Sequence, residues 1–171
     1  MLDRRTQIWN ILHDGEITAI SGEVSDTFIM CVSIPHLRRR LEPLGDRFVL
    51  TLVGVTRLEF HDFDGTPTSL PEELDIGSPE ILSTESESMP VSIATTLGQL
   101  TLDFQRISIA LDTGQAVEYE SIEKVCEEYW TEWKTKAEQA AAERRAETRA
   151  SAAALDRRPR SPREAEENDA E

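Results

Sequence analysis

The clearest alternation of hydrophobic and polar side chains runs through residues 48–60. Large apolar residues recur at every second position, as in a strand with one buried face. The first half is apolar on both faces, because Val49, Val53 and Val55 fall between the alternating residues. The pattern predicts one long strand, central in its sheet at first and emerging toward solvent later. Its predicted buried side chains are Phe48, Leu50, Leu52, Leu58 and Phe60.

Shorter strand patterns lie on both sides of this segment. Residues 28–32 are apolar at every position, which is typical of a strand covered on both faces. Residues 61–78 are rich in turn-forming proline and glycine, so they predict an irregular excursion. The remaining strands are predicted at residues 16–20, 28–34, 79–85, 91–95, 99–104 and 107–111.

The spacing of apolar residues changes from two to that of a helix after Ser121, which is a plausible N-cap. The pattern predicts an amphipathic helix over residues 121–133 that docks across a sheet face and closes the core. Residues 134–155 keep high helix propensity but little to bury, so they predict an exposed helical extension. Residues 156–171 are expected to be disordered. The apolar face of the helix consists of Ile122, Val125, Cys126, Tyr129, Trp130 and Trp133.

These elements together predict an α+β fold. We expect a mainly antiparallel, strongly bent sheet of six or seven strands, covered by the single C-terminal amphipathic helix. The β-rich globular domain would span residues 1–133, followed by the helical and disordered tail. The predicted core is Ile17, Ile29, Leu50, Leu52, Leu58, Ile93, Leu100, Leu102, Phe104, Ile107, Ile109, Ile122, Val125, Tyr129 and Trp133.

Charge adds a second feature to this picture. The chain of 171 residues has 33 acidic and 18 basic side chains, a formal net charge of -15. No Lys or Arg lies between Leu58 and Gln105, an interval that holds ten carboxylates. Such a surface either keeps the protein soluble with no partner or attracts a basic protein. The candidate partner-binding residues are Glu59, Asp62, Asp64, Glu72, Glu73, Asp75, Glu85 and Glu87.

Residues 37–41 form the basic cluster of the predicted domain, with arginine at positions 38, 39 and 40. Two interpretations stay open. The arginines either contact an anion or partner, or they form ion pairs with the chain's own excess carboxylates.

Composition also argues against several classes of protein. No stretch approaches the ~20 apolar residues that a membrane span requires. The acidic balance argues against nucleic-acid binding, which needs a basic surface. No apolar signal-peptide region follows Arg4 and Arg5, so we expect a cytoplasmic protein in which Cys31 and Cys126 stay reduced.

The sequence contains no recognisable catalytic or cofactor motif. The three histidines lack the spacing of a zinc site, and proline interrupts the run after His61 that superficially resembles a calcium loop. Nucleophile-elbow and phosphate-binding loops are absent as well. We therefore predict no metal, no cofactor and no enzymatic activity. The alternative is a small-ligand or enzymatic pocket inside the curved sheet, lined by Trp9, His13, His36 and His61.

Three short segments resemble small bacterial proteins without assigned function. They are LHDGEI at residues 12–17, VSIPHLR at 32–38 and YWTEW at 129–133, and the resemblance covers residues 8–133. The layout is similar to that of acidic immunity proteins encoded beside bacterial toxins, which are structurally diverse and often β-rich. This resemblance implies a non-catalytic role. Together with the cation-free interval between Leu58 and Gln105, it leads us to expect a protein-interaction module whose acidic surface occupies a basic toxin. It assigns no site residues.

Overall fold

The structure, a computed structural model, describes residues 3–68, 77–84, 86 and 88–156, with side chains as far as Ser151. Its helices are α1 (Arg4–Ile11), α2 (Pro35–Leu41) and α3 (Tyr119–Asp156). Its strands are β1 (Glu16–Gly22), β2 (Thr27–Ser33), β3 (Arg47–Val53), β4 (Arg57–Asp62), β5 (Pro67–Thr68), β6 (Ile81–Thr84), β7 (Val91–Thr95), β8 (Gly98–Asp103) and β9 (Arg106–Leu111).

The strands form two antiparallel sheets. The first has the order β1-β2-β3-β9, and the second has the order β5-β4-β8-β7-β6. The predicted α+β class with antiparallel pairing and a C-terminal helix is therefore confirmed. The prediction of one bent sheet with six or seven strands is wrong, because the described strands divide into sheets of four and five.

The division between the sheets falls inside the segment that we predicted as one strand. Gly54 has a φ of +70°, a conformation that favours glycine, and its amide donates to the carbonyl of Asp26 at 3.0 Å. The chain turns there and passes from β3 to β4 in the other sheet. Hydrophobic alternation resumes after the turn, which is why the two strands look continuous in the sequence.

The hydrophobic core receives side chains from both sheets and from α1. Ile8, Trp9 and Leu12 are fully buried, although the sequence analysis assigned no helix to this segment. Asp3 caps α1 by accepting a hydrogen bond from the amide of Arg5 at 3.0 Å. A short N-terminal helix thus supplies a share of the core that strand patterns do not reveal.

Most of the predicted core residues are buried, and four depart from the prediction. Ile107 and Tyr129 are partly buried and pack against the core. Ile29 is 39% exposed, because β2 turns only its other face to the core. Trp133 is 55% exposed and does not belong to the core at all. The expectation that residues 28–32 are covered on both faces is therefore wrong at Ile29.

The first turns of α3 pack on the other helices. The helix begins at Tyr119, before the predicted N-cap Ser121. Ile122 is fully buried, and the Tyr119 hydroxyl donates to Gln7 Oε1 of α1 at 3.4 Å. The rings of His36 in α2 and Tyr129 lie 4.3 Å apart. The hydrophobic pattern predicts that this helix docks across a sheet face, whereas these contacts lie with α1 and α2.

The chain divides into two compact units, Met1–Tyr129 and Trp130–Glu171. In the second unit, α3 continues to Asp156, and its side chains from 130 to 151 are exposed apart from partly buried Ala140. The residues of the predicted disordered tail beyond Asp156 lie outside the described residues. Within the described part of the chain, no helix combines the length and apolar character of a membrane span.

Candidate functional site

The basic cluster of α2 turns one arginine into the protein. Arg38 is fully buried, and its Nε and Nη2 donate to Asp112 Oδ1 at 3.0 and 2.6 Å. Its guanidinium also donates to the carbonyl oxygens of Arg47 and Glu42, at 3.2 and 3.0 Å. For Arg38, the interpretation as an ion pair with the chain's own carboxylates is confirmed.

Asp112 is held from both sides in this network. Its Oδ2 accepts from the backbone amides of Asp46 and Arg47 at 3.0 and 3.3 Å. Burial raises the pKa of Asp112, but the amide of Asp46, the Arg38 guanidinium and the amide of Arg47 outweigh it, so the pKa stays below its ordinary value. A Cβ at Gly45 would overlap the same carboxylate, so glycine is required there. The network is structural and leaves no charge for a ligand.

The other two arginines of the cluster are at the surface. Arg39 is exposed, and the guanidinium of Arg40 lies 5.4 Å from the centroid of the Tyr129 ring. Cation–π contacts of this kind hold neighbouring elements together. The cluster therefore fixes α2 to its surroundings through Arg38 and Arg40.

The structure describes three of the eight predicted partner-binding carboxylates. Asp62 and Asp64 are exposed at the end of β4, and Asp62 Oδ1 accepts from the amide of Thr66 at 3.1 Å. Glu59 lies half-buried on β4, where its bond to Arg57 at 2.6 Å lowers its pKa. An ion-paired Glu59 is less available to a partner. The other five, Glu72, Glu73, Asp75, Glu85 and Glu87, lie outside the described residues.

A different group of carboxylates lines a cleft of about 510 Å³ at the place where the two sheets meet. The loop after α1 contributes Asp14, the start of β1 contributes Glu16, and the residue before β6 is Glu80. The remaining lining residues are Ser33, Pro35, Ser78 and Thr96. The described lining is thus made of carboxylates, hydroxyls and one proline.

Backbone pairing brings Glu16 and Glu80 together. The two residues form an isolated antiparallel bridge. The amide of Ile17 donates to the carbonyl of Pro79 at 2.9 Å, and the amide of Ile81 donates to that of Gly15 at 2.8 Å. This arrangement makes the two glutamates a non-hydrogen-bonded pair, the type in which opposing side chains lie closest. Like charges directly opposite one another repel, so the bridge carries an electrostatic cost.

Asp14 completes the acidic lining in a conformation that few residues adopt. Its φ is +65°, and its amide donates to the carbonyl of Ile81 at 3.0 Å. Aspartate tolerates this left-handed region better than most residues. Its Oδ1 lies 3.1 Å from His13 Nε2 at the surface. The sequence does not predict that Asp14, Glu16 and Glu80 lie together. Their proximity depends on a contact between the starts of β1 and β6, and no local pattern predicts that contact.

The four residues of the alternative pocket are spread over the fold. Trp9 is buried in the core, where its Nε1 has no hydrogen-bond partner among the described residues. The side chain of His13 contacts that of Asp14, the ring of His36 lies against that of Tyr129, and His61 lies on β4. None of the four lines the acidic cleft.

The charge of one cleft residue, Asp14, nevertheless affects the pKa of His36. Burial lowers the pKa of His36, the negative charge of Asp14 raises it, and the positive charge of Arg40 lowers it again, so the pKa stays below the ordinary value. The pKa of His36 therefore depends on the charge of a cleft carboxylate, although His36 does not line the cleft.

Among the described residues, no group of three or more His, Cys, Asp or Glu side chains has the geometry of a metal site. Comparisons with protein-family models, with curated proteins and with solved structures find no match for this chain.

Proposed function

We propose that this protein is a non-catalytic interaction module that binds a basic partner protein in the cleft of Asp14, Glu16 and Glu80. The observation that carries the proposal is the lining of that cleft, which places three carboxylates beside hydroxyls with no Lys or Arg among the lining residues that the structure describes. A partner's arginine or lysine would find acceptors on several sides. The charge of the whole chain, -15, favours the approach of such a partner.

The energetics of the cleft support a cationic occupant. Glu16 and Glu80 repel each other in the free protein, and a guanidinium between them would replace that repulsion with charge-assisted hydrogen bonds. The volume of about 510 Å³ lies within the range of clefts that enclose ligands. A protruding basic side chain, with part of the loop that carries it, is the occupant of matching size and charge.

The biological role that we propose is that of an immunity-type protein, acting in the bacterial cytoplasm by occupying a basic toxin. Support comes from the acidic charge and from the layout of the three segments that resemble small bacterial proteins. In this role the protein needs a complementary surface and fast association with its partner, and it needs no catalysis. Electrostatic attraction supplies the fast association.

A peptide containing three arginines tests the proposed binding, with the same peptide carrying citrulline in their place as the uncharged probe. We expect the arginine peptide to bind and its affinity to fall steeply with salt, because the contact is electrostatic. The double variant Glu16→Gln/Glu80→Gln should weaken binding by about tenfold or more, measured by fluorescence anisotropy.

The matched control is Glu59→Gln/Asp64→Asn, which removes the same number of charges from β4 and the turn after it. It should leave the affinity within about twofold, since only general attraction is reduced. Equal losses in the two double variants, or equal binding of the citrulline peptide, would overturn the assignment of the cleft.

A further inference from the structure

The second unit of the chain differs electrically from the first. Residues 130–156 hold five acidic and five basic side chains and are neutral, whereas residues 1–129 hold 23 acidic and nine basic ones. Two copies of the first unit repel each other at any approach of their acidic surfaces. The neutral helix is a described segment at which two copies can meet without that cost.

The exposed part of α3 also carries a stripe suited to a helix partner. The indole rings of Trp130 and Trp133 lie 5.8 Å apart, edge to face, and are 38% and 55% exposed. Positions spaced alternately by three and four residues continue this stripe, as in a two-helix seam. The stripe consists of Trp130, Trp133, Ala137, Ala140, Arg144 and Glu147.

We propose that the occupant of this stripe is a second copy of the chain, whose α3 pairs with the first in the antiparallel direction. With Ala137 opposite Ala140 of the second copy, Trp133 lies opposite Arg144 and Trp130 opposite Glu147. A guanidinium is attracted to the face of an indole.

Charges beside the stripe favour the same direction. In the antiparallel register, Lys136 of each copy lies next to Glu143 of the other, so two opposite-charge pairs flank the alanines. A parallel pair would instead place Arg144 against Arg144 and Glu147 against Glu147. It would also bring the two acidic segments before residue 130 side by side. This pairing is independent of the proposed binding in the acidic cleft.

Sedimentation of the full chain, from about 1 μM to about 1 mM, tests the proposal. We expect a reversible dimer. Trp133→Ala should weaken it by about tenfold or more, because an exposed aromatic side chain that a partner covers contributes strongly to a contact. Circular dichroism verifies that the helix persists in the variant.

A charge exchange tests the direction of pairing. Lys136→Glu alone and Glu143→Lys alone should each weaken the dimer about fivefold, because like charges then face each other twice. An equal mixture of these two variants should recover the affinity, because position 136 of each copy then again faces an opposite charge at position 143 of the other. The matched controls, Lys124→Glu and Glu138→Lys, make the same charge changes away from the seam and should leave the affinity within about twofold.

A chain that stays monomeric throughout the concentration range overturns the proposal. A dimer that is indifferent to Trp133→Ala, or a mixture that is no tighter than its components, overturns it as well.

Discussion

Two charged clusters in this protein differ in burial and in whether their charges are compensated. Arg38 is fully buried and satisfied by Asp112 and two carbonyl groups, so its charge serves to hold the fold together. Glu16 and Glu80 face each other in an open cleft whose described lining residues include no Lys or Arg. The first cluster is a closed arrangement of opposite charges, and the second is an unbalanced arrangement of like charges.

The difference shows which charges in an acidic protein are available for binding. A buried ion pair must be fully compensated, because an isolated charge away from water is costly. Once compensated, it has no capacity left for a partner. Like charges held together by backbone pairing keep that capacity, and salt or a bound cation relieves the repulsion between them. The four predictions that follow test this contrast, from the largest effect to the smallest.

Replacing Arg38 by methionine should have the largest effect. The substitution removes the cation that faces the Asp112 carboxylate, which keeps only the amides of Asp46 and Arg47, and it takes one donor from each of the Glu42 and Arg47 carbonyl groups. We expect the free energy of unfolding to fall by about 3–5 kcal/mol, as when one partner of a buried pair is removed. Urea denaturation measures the loss. Arg39→Met, at an exposed neighbouring position, should change stability by less than about 0.5 kcal/mol. A loss at position 38 as small as that at 39 would contradict the closed network.

The pH dependence of stability should reveal Asp112. Its folded pKa lies below the ordinary 3.8, so the unfolded chain binds the proton more readily as the solution becomes acidic. Its contribution is therefore complete above the unfolded value and is lost as the pH falls from about 3.8 through the folded pKa. Asp112→Asn should be less stable at about pH 6 and should approach the wild type below about pH 4. Denaturation curves that stay a constant distance apart would argue against this assignment.

Neutralising the cleft should act in the opposite direction from breaking the network. Glu16→Gln or Glu80→Gln should each raise the free energy of unfolding by about 0.2–1 kcal/mol at low salt, because either change removes the repulsion. The double variant should gain no more than one single variant does, since the repulsion is removed only once. Thermal unfolding of the four proteins at two salt concentrations measures the coupling. Strictly additive gains would show that the two carboxylates do not interact.

The smallest effect that we expect is a shift in the titration midpoint of His36, whose pKa is affected by the charge of Asp14 in the cleft. Its midpoint in the folded protein should lie below that of the urea-unfolded chain, measured by NMR. Because the unfolded chain binds the proton more readily, this residue costs stability as the pH falls below the unfolded pKa. Asp14→Asn should lower the midpoint further and Arg40→Met should raise it. Unchanged midpoints in both variants would mean that His36 is insulated from the cleft.

The sequence predicts much of the local structure and little of the site. Strands β7, β8 and β9 lie where short-range alternation predicts them, because alternation follows directly from the geometry of one strand, and β2 contains the continuous apolar run of residues 28–32. The same alternation cannot show a turn such as that at Gly54, where a strand ends in one sheet and the next begins in the other. The sequence pattern does not predict α1, because its eight residues are too few to establish a helical period.

Sequence by itself determined the α+β class, the antiparallel strands, the long C-terminal helix and the acidic character of the chain, because each follows from neighbouring residues or from a sum over all of them. Tertiary structure decided the sheet partition, the burial of Arg38 and the meeting of Glu16 with Glu80. Those features join residues that are distant along the chain, and the choice between burying a charge and exposing it depends on partners that only folding brings within reach.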